Sequence, residues 1–167
     1  MSLVYNGKVT IILKNHTLVT HNHGTEHLFK LFSQLLTKQL ISKEVELPTY
    51  LDIVTSSYDK VIEDPELNLY TSILTDPLDI LPSLLDDDPG TARFDALLTA
   101  NNIKSTNSVL SLVLIAGDKK TIFAAVDFNP DLLKDLNEGV NAIIKWEMNI
   151  SNVDDAAASA IMQLLED

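Results

Sequence analysis

Hydrophobic and polar side chains take turns along most of this chain, and the places where that two-residue rhythm changes mark its other elements. Between residues 8 and 14, Val9, Ile11 and Leu13 share one side of an extended segment, with Lys8, Thr10, Ile12 and Lys14 on the other, which predicts a first strand. From Gly24 onward the spacing becomes i, i+3, i+4, i+7. Leu28, Leu31, Phe32, Leu35, Leu36 and Leu40 fall on one stripe, and Glu26, Lys30, Gln34 and Lys38 point away. That spacing predicts an amphipathic helix over 24–41, with Asn22 as its cap. Alternation returns over 47–55, where Leu51 and Ile53 oppose Tyr50, Asp52 and Val54. Pro48 stands near the start of this second strand, where a missing amide does least harm.

Residues 56–90 keep neither period for long. Pro65, Pro77, Pro82 and Pro89 punctuate a run rich in Asp and Leu, which reads as a long connection with one or two short helical turns. Loops of this length are uncommon inside a compact domain and are often functional, so the segment is either a packed excursion or a contact surface. Tyr58, Tyr70, Leu74 and Leu81 are its candidate interface residues.

The second half reads as sheet. Residues 91–100 place Phe94, Ala96 and Leu98 against Arg93, Asp95 and Thr99, and Asn101-Asn102 ends the strand. Residues 108–115 are apolar on both faces, Leu110, Leu112 and Leu114 opposing Val109, Val113 and Ile115, which predicts a central strand covered on both sides. Gly117-Asp118 turns the chain into a partner strand over 121–128, where Ile122, Ala124, Val126 and Phe128 share a face. Asn129-Pro130 stops it, and a polar stretch through Asp131, Lys134, Asp135, Asn137 and Glu138 leads to Gly139. In the last strand Val140, Ala142, Ile144, Trp146, Met148 and Ile150 point inward, while Asn141, Lys145, Glu147 and Asn149 point outward, with Ile143 the apolar exception. Asn152 and Asp155 have the spacing of a capping box opening a terminal helix. Its stripe includes Ala157, Ile161, Leu164 and Leu165, and this amphipathic face either covers its own sheet or reaches another subunit.

The expected fold is α+β: mainly an antiparallel β-sandwich over 1–150, with one amphipathic helix after the first strand, followed by a C-terminal helical appendage over 151–167.

Composition narrows the chemistry. Twenty-four acidic against twelve basic side chains give 167 residues a net charge of −12, which repels nucleic-acid phosphate and anionic lipid. No cysteine is present, which removes disulfides, thiolate metal sites and cysteine nucleophiles. No apolar stretch approaches the ~20 residues of a membrane-crossing helix, and the first residues lack the basic-then-apolar layout of a signal peptide.

Candidate reactive groups are sparse. His16, His21, His23 and His27 fall close together, but only Glu26 stands nearby to complete a metal site, so a solvated strand-to-helix connection is the expected reading. Asp86-Asp87-Asp88-Pro89-Gly90 lacks the alternate ligands and distal bidentate Glu of a calcium loop and reads as an acidic turn. The stretch around Asp118 lacks a phosphate loop's spaced glycines, and no Ser, His and Asp set suggests nucleophilic catalysis. Trp146 could serve as a glycan-stacking platform, but its inward register favours the core. No enzymatic activity, cofactor, metal or small-molecule substrate is expected.

Four stretches carry a resemblance: "KNHTLVTHNHGTEHLFKLF" after the first strand, "LPTYLDIVTSS", "ARFDALLTANN…NSVLSLVLIAGDKKTIFAAVDF", and the closing "GVNAIIKWEMNIS". Together, over residues 7–150, they resemble a group of small bacteriophage virion structural proteins from tails and tail-adjacent structures. The shared marks are an early "KN…L" strand-to-helix entry, a hairpin turning at Gly-Asp, and a last strand with a central Trp. The sequence departs from that group at Ser56-Ser57-Tyr58-Asp59, where relatives have a Gly- and Thr-rich turn, and in its terminal helix. The resemblance implies a β-sandwich with one helix, repeated around a symmetric particle as a tail, baseplate, neck or fibre-attachment component. It implies copies of itself and other virion proteins as partners, direct contact with neither nucleic acid nor membrane, and assembly in the host cytoplasm into the virion. A receptor- or glycan-binding module on the virion surface is the alternative, with Tyr58 and Tyr70 as its exposed aromatics.

Overall fold

The computed structural model describes residues 3–14, 16–36, 47–83 and 91–152. Its strands are β1 (Leu3–Ile12), β2 (Thr17–Gly24), β3 (Pro48–Val54), β4 (Leu78–Asp79), β5 (Leu81–Ser83), β6 (Thr91–Leu98), β7 (Leu110–Ala116), β8 (Ile122–Phe128) and β9 (Ala142–Asn152). The helices are α1 (Glu26–Leu36) and α2 (Tyr58–Glu63). The strands join in one antiparallel sheet, ordered β4-β3-β7-β8-β2-β1-β9-β6-β5. Its two ends meet in one short run of chain: β4 pairs with β3, and β5, beginning one residue after Ile80, pairs with β6. Residues 78–83 therefore bridge both ends, and the sheet bends into a nearly closed barrel.

This corrects the expected sandwich, whose two layers would not be hydrogen-bonded to each other. Residues 17–24, read from sequence as a connection, form β2, and β2 links the two halves through His23↔Ala125 and Gly24↔Ala124. In its described part the excursion over 56–90 has the two short helical turns expected of it and is the packed alternative, and its closing strands are the correction. It holds α2, a 3-10 turn (Leu67–Leu69) and the closing strands, and its Ile73, Leu74 and Leu78 are buried in the core.

The interior is filled by side chains, with Trp146 at 0% exposure among Val9, Leu51, Leu98, Leu112 and Ile144. Such a barrel is a packed core rather than a vessel. Phe32, Leu31 and Leu28 of α1 enter the same cluster. So do Leu132, Leu133 and Leu136 from a 3-10 segment (Pro130–Gly139) in the stretch that composition had marked only as polar.

A second apolar cluster lies on the outer face of β7 and β8, where Val54, Val113, Ile115, Ile122 and Ala125 are roofed by Val61 of α2. Every residue of β7 is buried, as its two apolar faces predict. Ile122 belongs to this outer cluster and not to the inward face with Ala124, Val126 and Phe128, because the β7–β8 register shifts between Leu114 and Ile115.

Thr25 caps α1 in place of the expected Asn22. Its Oγ1 accepts the His27 N–H at 3.2 Å, its hydroxyl donates to Ile122 O at 2.6 Å, and its N–H donates to Phe123 O at 2.8 Å. One residue thus starts the helix and pins it to β8. The helix is described to Leu36, so Leu40 and the rest of the 24–41 expectation fall outside the described residues.

Candidate functional site

Alternation in β1, β9 and β6 sends Val9, Ile144, Trp146 and Ala96 into the core, so the intervening residues face outward. The register sorts those outward residues into rows crossing three strands. Lys8 opposes Glu147, which opposes Arg93; Thr10 opposes Lys145, which opposes Asp95; Ile12 opposes Ile143, which opposes Leu97. The first two rows are polar, with Lys8 Nζ 3.4 Å from Glu147 Oε2 and Arg93 Nε 3.3 Å from Asp95 Oδ1. The third is aliphatic.

In that third row Leu97 is 52% exposed and Ile143 43%, and Leu81 of the neighbouring β5 reaches 71%. A shallow groove lined by Leu78, Leu81, Ala96, Leu97 and Ile143, together with Asp79, Asp95 and Asn102, runs along them. Scattered exposed leucines are ordinary on a protein surface, whereas neighbours in register make a patch. The signal was present in the sequence, since Ile12, Ile143 and Leu97 each interrupt a polar face. What the sequence lacked was the register that sets the three side by side.

A second opening lies where β2 and β8 diverge beyond their two paired residues. Leu18 points inward from β2, opposite Ile11, yet is 38% exposed, and Val19 and Val109 beside it are 59% and 48% exposed. Phe128, Pro130 and Leu132 line the far side of this cleft.

Buried polar groups lie away from both surfaces. Inside the barrel the Tyr5 hydroxyl donates to Asn22 Oδ1, and Asn22 Nδ2 reaches Glu147 O at 3.4 Å. Burial pushes the Tyr5 phenol well above its usual range, Trp146 and Asn22 offsetting only part of the effect. The Trp146 indole N–H is turned toward the same phenol without completing a hydrogen bond to it. On β3 the Asp52 carboxylate, 3% exposed, accepts from the Ser72 hydroxyl and from the Ile53 N–H at 2.8 Å. These groups join strands to one another and present nothing to a ligand.

The candidate interface residues part company. Leu81 stands on the aliphatic patch, whereas Leu74, at 1% exposure, is a core residue, which corrects its candidacy: it bridges to Ile103 and packs in the barrel's core cluster. Tyr58 stacks on His23 with ring centroids 4.9 Å apart, and Tyr70 donates its hydroxyl to Asp64 O at 2.6 Å; both rings pack against the outer cluster under α2. Ala157, Ile161, Leu164 and Leu165 lie outside the described residues, as does the acidic turn at 86–90.

The histidines are dispersed. His16 faces Asp135 at 3.7 Å, His27 faces Glu66 at 2.9 Å, and His21 and His23 stand on the exposed face of β2. Among the described residues no three His, Asp or Glu side chains come together as metal ligands. No protein-family model, curated protein or solved structure matches this chain.

Proposed function

We propose that the protein is a structural subunit that acts by packing against other protein subunits, as a tail, baseplate, neck or fibre-attachment component of a bacteriophage virion. The observation that carries the assembly role is the pair Ile143 and Leu97, side by side on β9 and β6, with Leu81 of β5, which opposes Asp95, on the same groove, the three being 43–71% exposed. Side chains of this kind lose free energy by leaving water, at roughly 25 cal/mol per Å² buried, so a surface that gathers them is suited to a protein partner. The interior, occupied around Trp146, leaves the outer wall as the working surface. The virion setting comes from the sequence resemblance in the strand-to-helix entry, the Gly117-Asp118 hairpin and the Trp146 strand.

The test is to purify particles from infected host cells, digest them and search the peptides for this chain, with immunogold labelling to locate it. The expected result is a fixed copy number per particle at one structural position. A chain found only in the soluble host fraction overturns the proposal.

A further inference from the structure

We infer that the wall formed by β2, β1, β9, β6 and β5 is a self-association surface whose occupant is a second copy of this chain. The inference rests on the structural reading above and names the partner at that site.

Charge selects the occupant. The outward positions of β1, β9 and β6 carry Lys8, Lys145 and Arg93 with Glu147 and Asp95. Three of the twelve basic and two of the twenty-four acidic side chains stand at these positions, so the outward face of these three strands is net +1, and near neutral with Asp79 of the adjoining groove, in a chain of net −12. The remaining nine basic and twenty-two acidic side chains lie off these positions, so two copies meeting through this wall avoid most of their mutual repulsion and bring charges of both signs together. Opposite signs already sit beside one another in register, Lys8↔Glu147↔Arg93 and Lys145↔Asp95. A twofold axis lays such a mixed patch on itself, so that Lys145 of one copy can face an acidic side chain of the other while the aliphatic rows close together.

The size suits a weak, reversible contact. The barrel curves, so one partner meets mainly β1, β9 and β6, and three strands ~4.8 Å apart with about eight residues each at ~3.3 Å per residue present roughly 400 Å². That is about half of the ~800 Å² per partner of a standard interface. A nucleic acid demands a far more positive face than net +1, and a strongly basic partner would find little acid here.

Sedimentation velocity on the full chain, over a concentration series, reads the inference directly. The expected wild-type behaviour is a reversible dimer of twice the 18.5 kDa chain mass. Ile143→Asp and Leu97→Asp, both at exposed positions, should weaken the dimer by roughly 100-fold while leaving the far-UV circular dichroism unchanged. Lys145→Glu is the second probe should an aspartate disturb the sheet; it should weaken association by about tenfold through charge alone. Leu69→Asp, 59% exposed and outside this wall, should leave association as in the wild type.

A wild type that sediments as a single chain at on the order of 100 μM overturns the inference, as does an Ile143→Asp dimer as tight as wild type. Particles that contain the chain only as an isolated copy among other proteins retire self-association and leave the structural role standing. A dimer in solution with no chain in particles does the reverse.

Discussion

Gly7 of β1 and Asn22 of β2 are cross-strand partners, and the Asn22 side chain occupies the space where a Cβ on Gly7 would stand. Asn22 is buried at 4% exposure because Gly7 leaves that room, and its amide oxygen there receives the Tyr5 hydroxyl. Glycine is required here for close approach, not for turn geometry. Gly7→Ala should therefore destabilise the fold by about 1–3 kcal/mol, the usual cost of overpacking. Urea unfolding followed by fluorescence of Trp146, the chain's one tryptophan, measures it. Because the damage acts through the amide, Gly7→Ala and Asn22→Ala should combine less than additively. Additive losses would show that Gly7 matters for some other reason.

Thr25 supports a prediction about helix docking. Its hydroxyl donates to Ile122 O at 2.6 Å and accepts from the His27 N–H at 3.2 Å, so Thr25→Val keeps the shape and removes both bonds. A buried carbonyl and a helix N–H are left unpaired, at a cost of about 1–3 kcal/mol. Thr25→Ser retains the hydroxyl and should recover most of that loss in the same urea titration.

The β7–β8 turn places Lys119 at φ 59, in the left-handed region, with its Nζ 5.2 Å from the Tyr50 ring centroid. Lys119→Gly relieves the backbone conformation and forfeits the cation–ring contact, two effects of about 0.5–1 kcal/mol and opposite sign, so its melting temperature should stay close to wild type. Lys119→Ala keeps the strain and loses the contact, and should melt a few degrees lower, roughly 2–4 °C per kcal/mol. Calorimetry on the two variants separates the effects, and an alanine variant as stable as the glycine one removes the strain argument.

Much of this fold was legible because burial is one-sided. Leu51 and Ile53, Ala96 and Leu98, and Ile144, Trp146 and Met148 all point into the core as their alternation predicts. The failures have physical causes. β2 escaped notice because its inward positions include Thr20 and the buried Asn22, while apolar Val19 faces water, which erases the alternation. The closing strands were hidden because Pro77 and Pro82 bracket a segment that changes partner at Ile80, a tertiary event with no local period. For the candidate site, Ile143 was visible as an exception to its face, but only the register aligned it with Ile12 and Leu97.

Asp52 makes the fold's stability depend on pH in a direction opposite to that of most carboxylates. Burial pushes its carboxyl above the ordinary value of 3.8, and the Ser72 hydroxyl, the Ile53 N–H and the Lys104 charge pull it back only in part. A carboxyl whose folded value lies above its unfolded one favours folding when protonated. Its contribution is fully present below pH 3.8 and is lost as pH rises through the folded value. Asp52→Asn keeps an oxygen to accept from Ser72 and Ile53 but cannot ionise, so it should match the wild type below pH 3.8 and exceed it by a margin that grows as pH rises through the folded value and is constant above it. Urea midpoints for both proteins should separate as pH rises from the acid end and then hold a constant separation above the folded value. A separation that does not change with pH would mean that Ser72 and Lys104 neutralise the cost of burial and that Asp52 is an ordinary carboxylate in all but position.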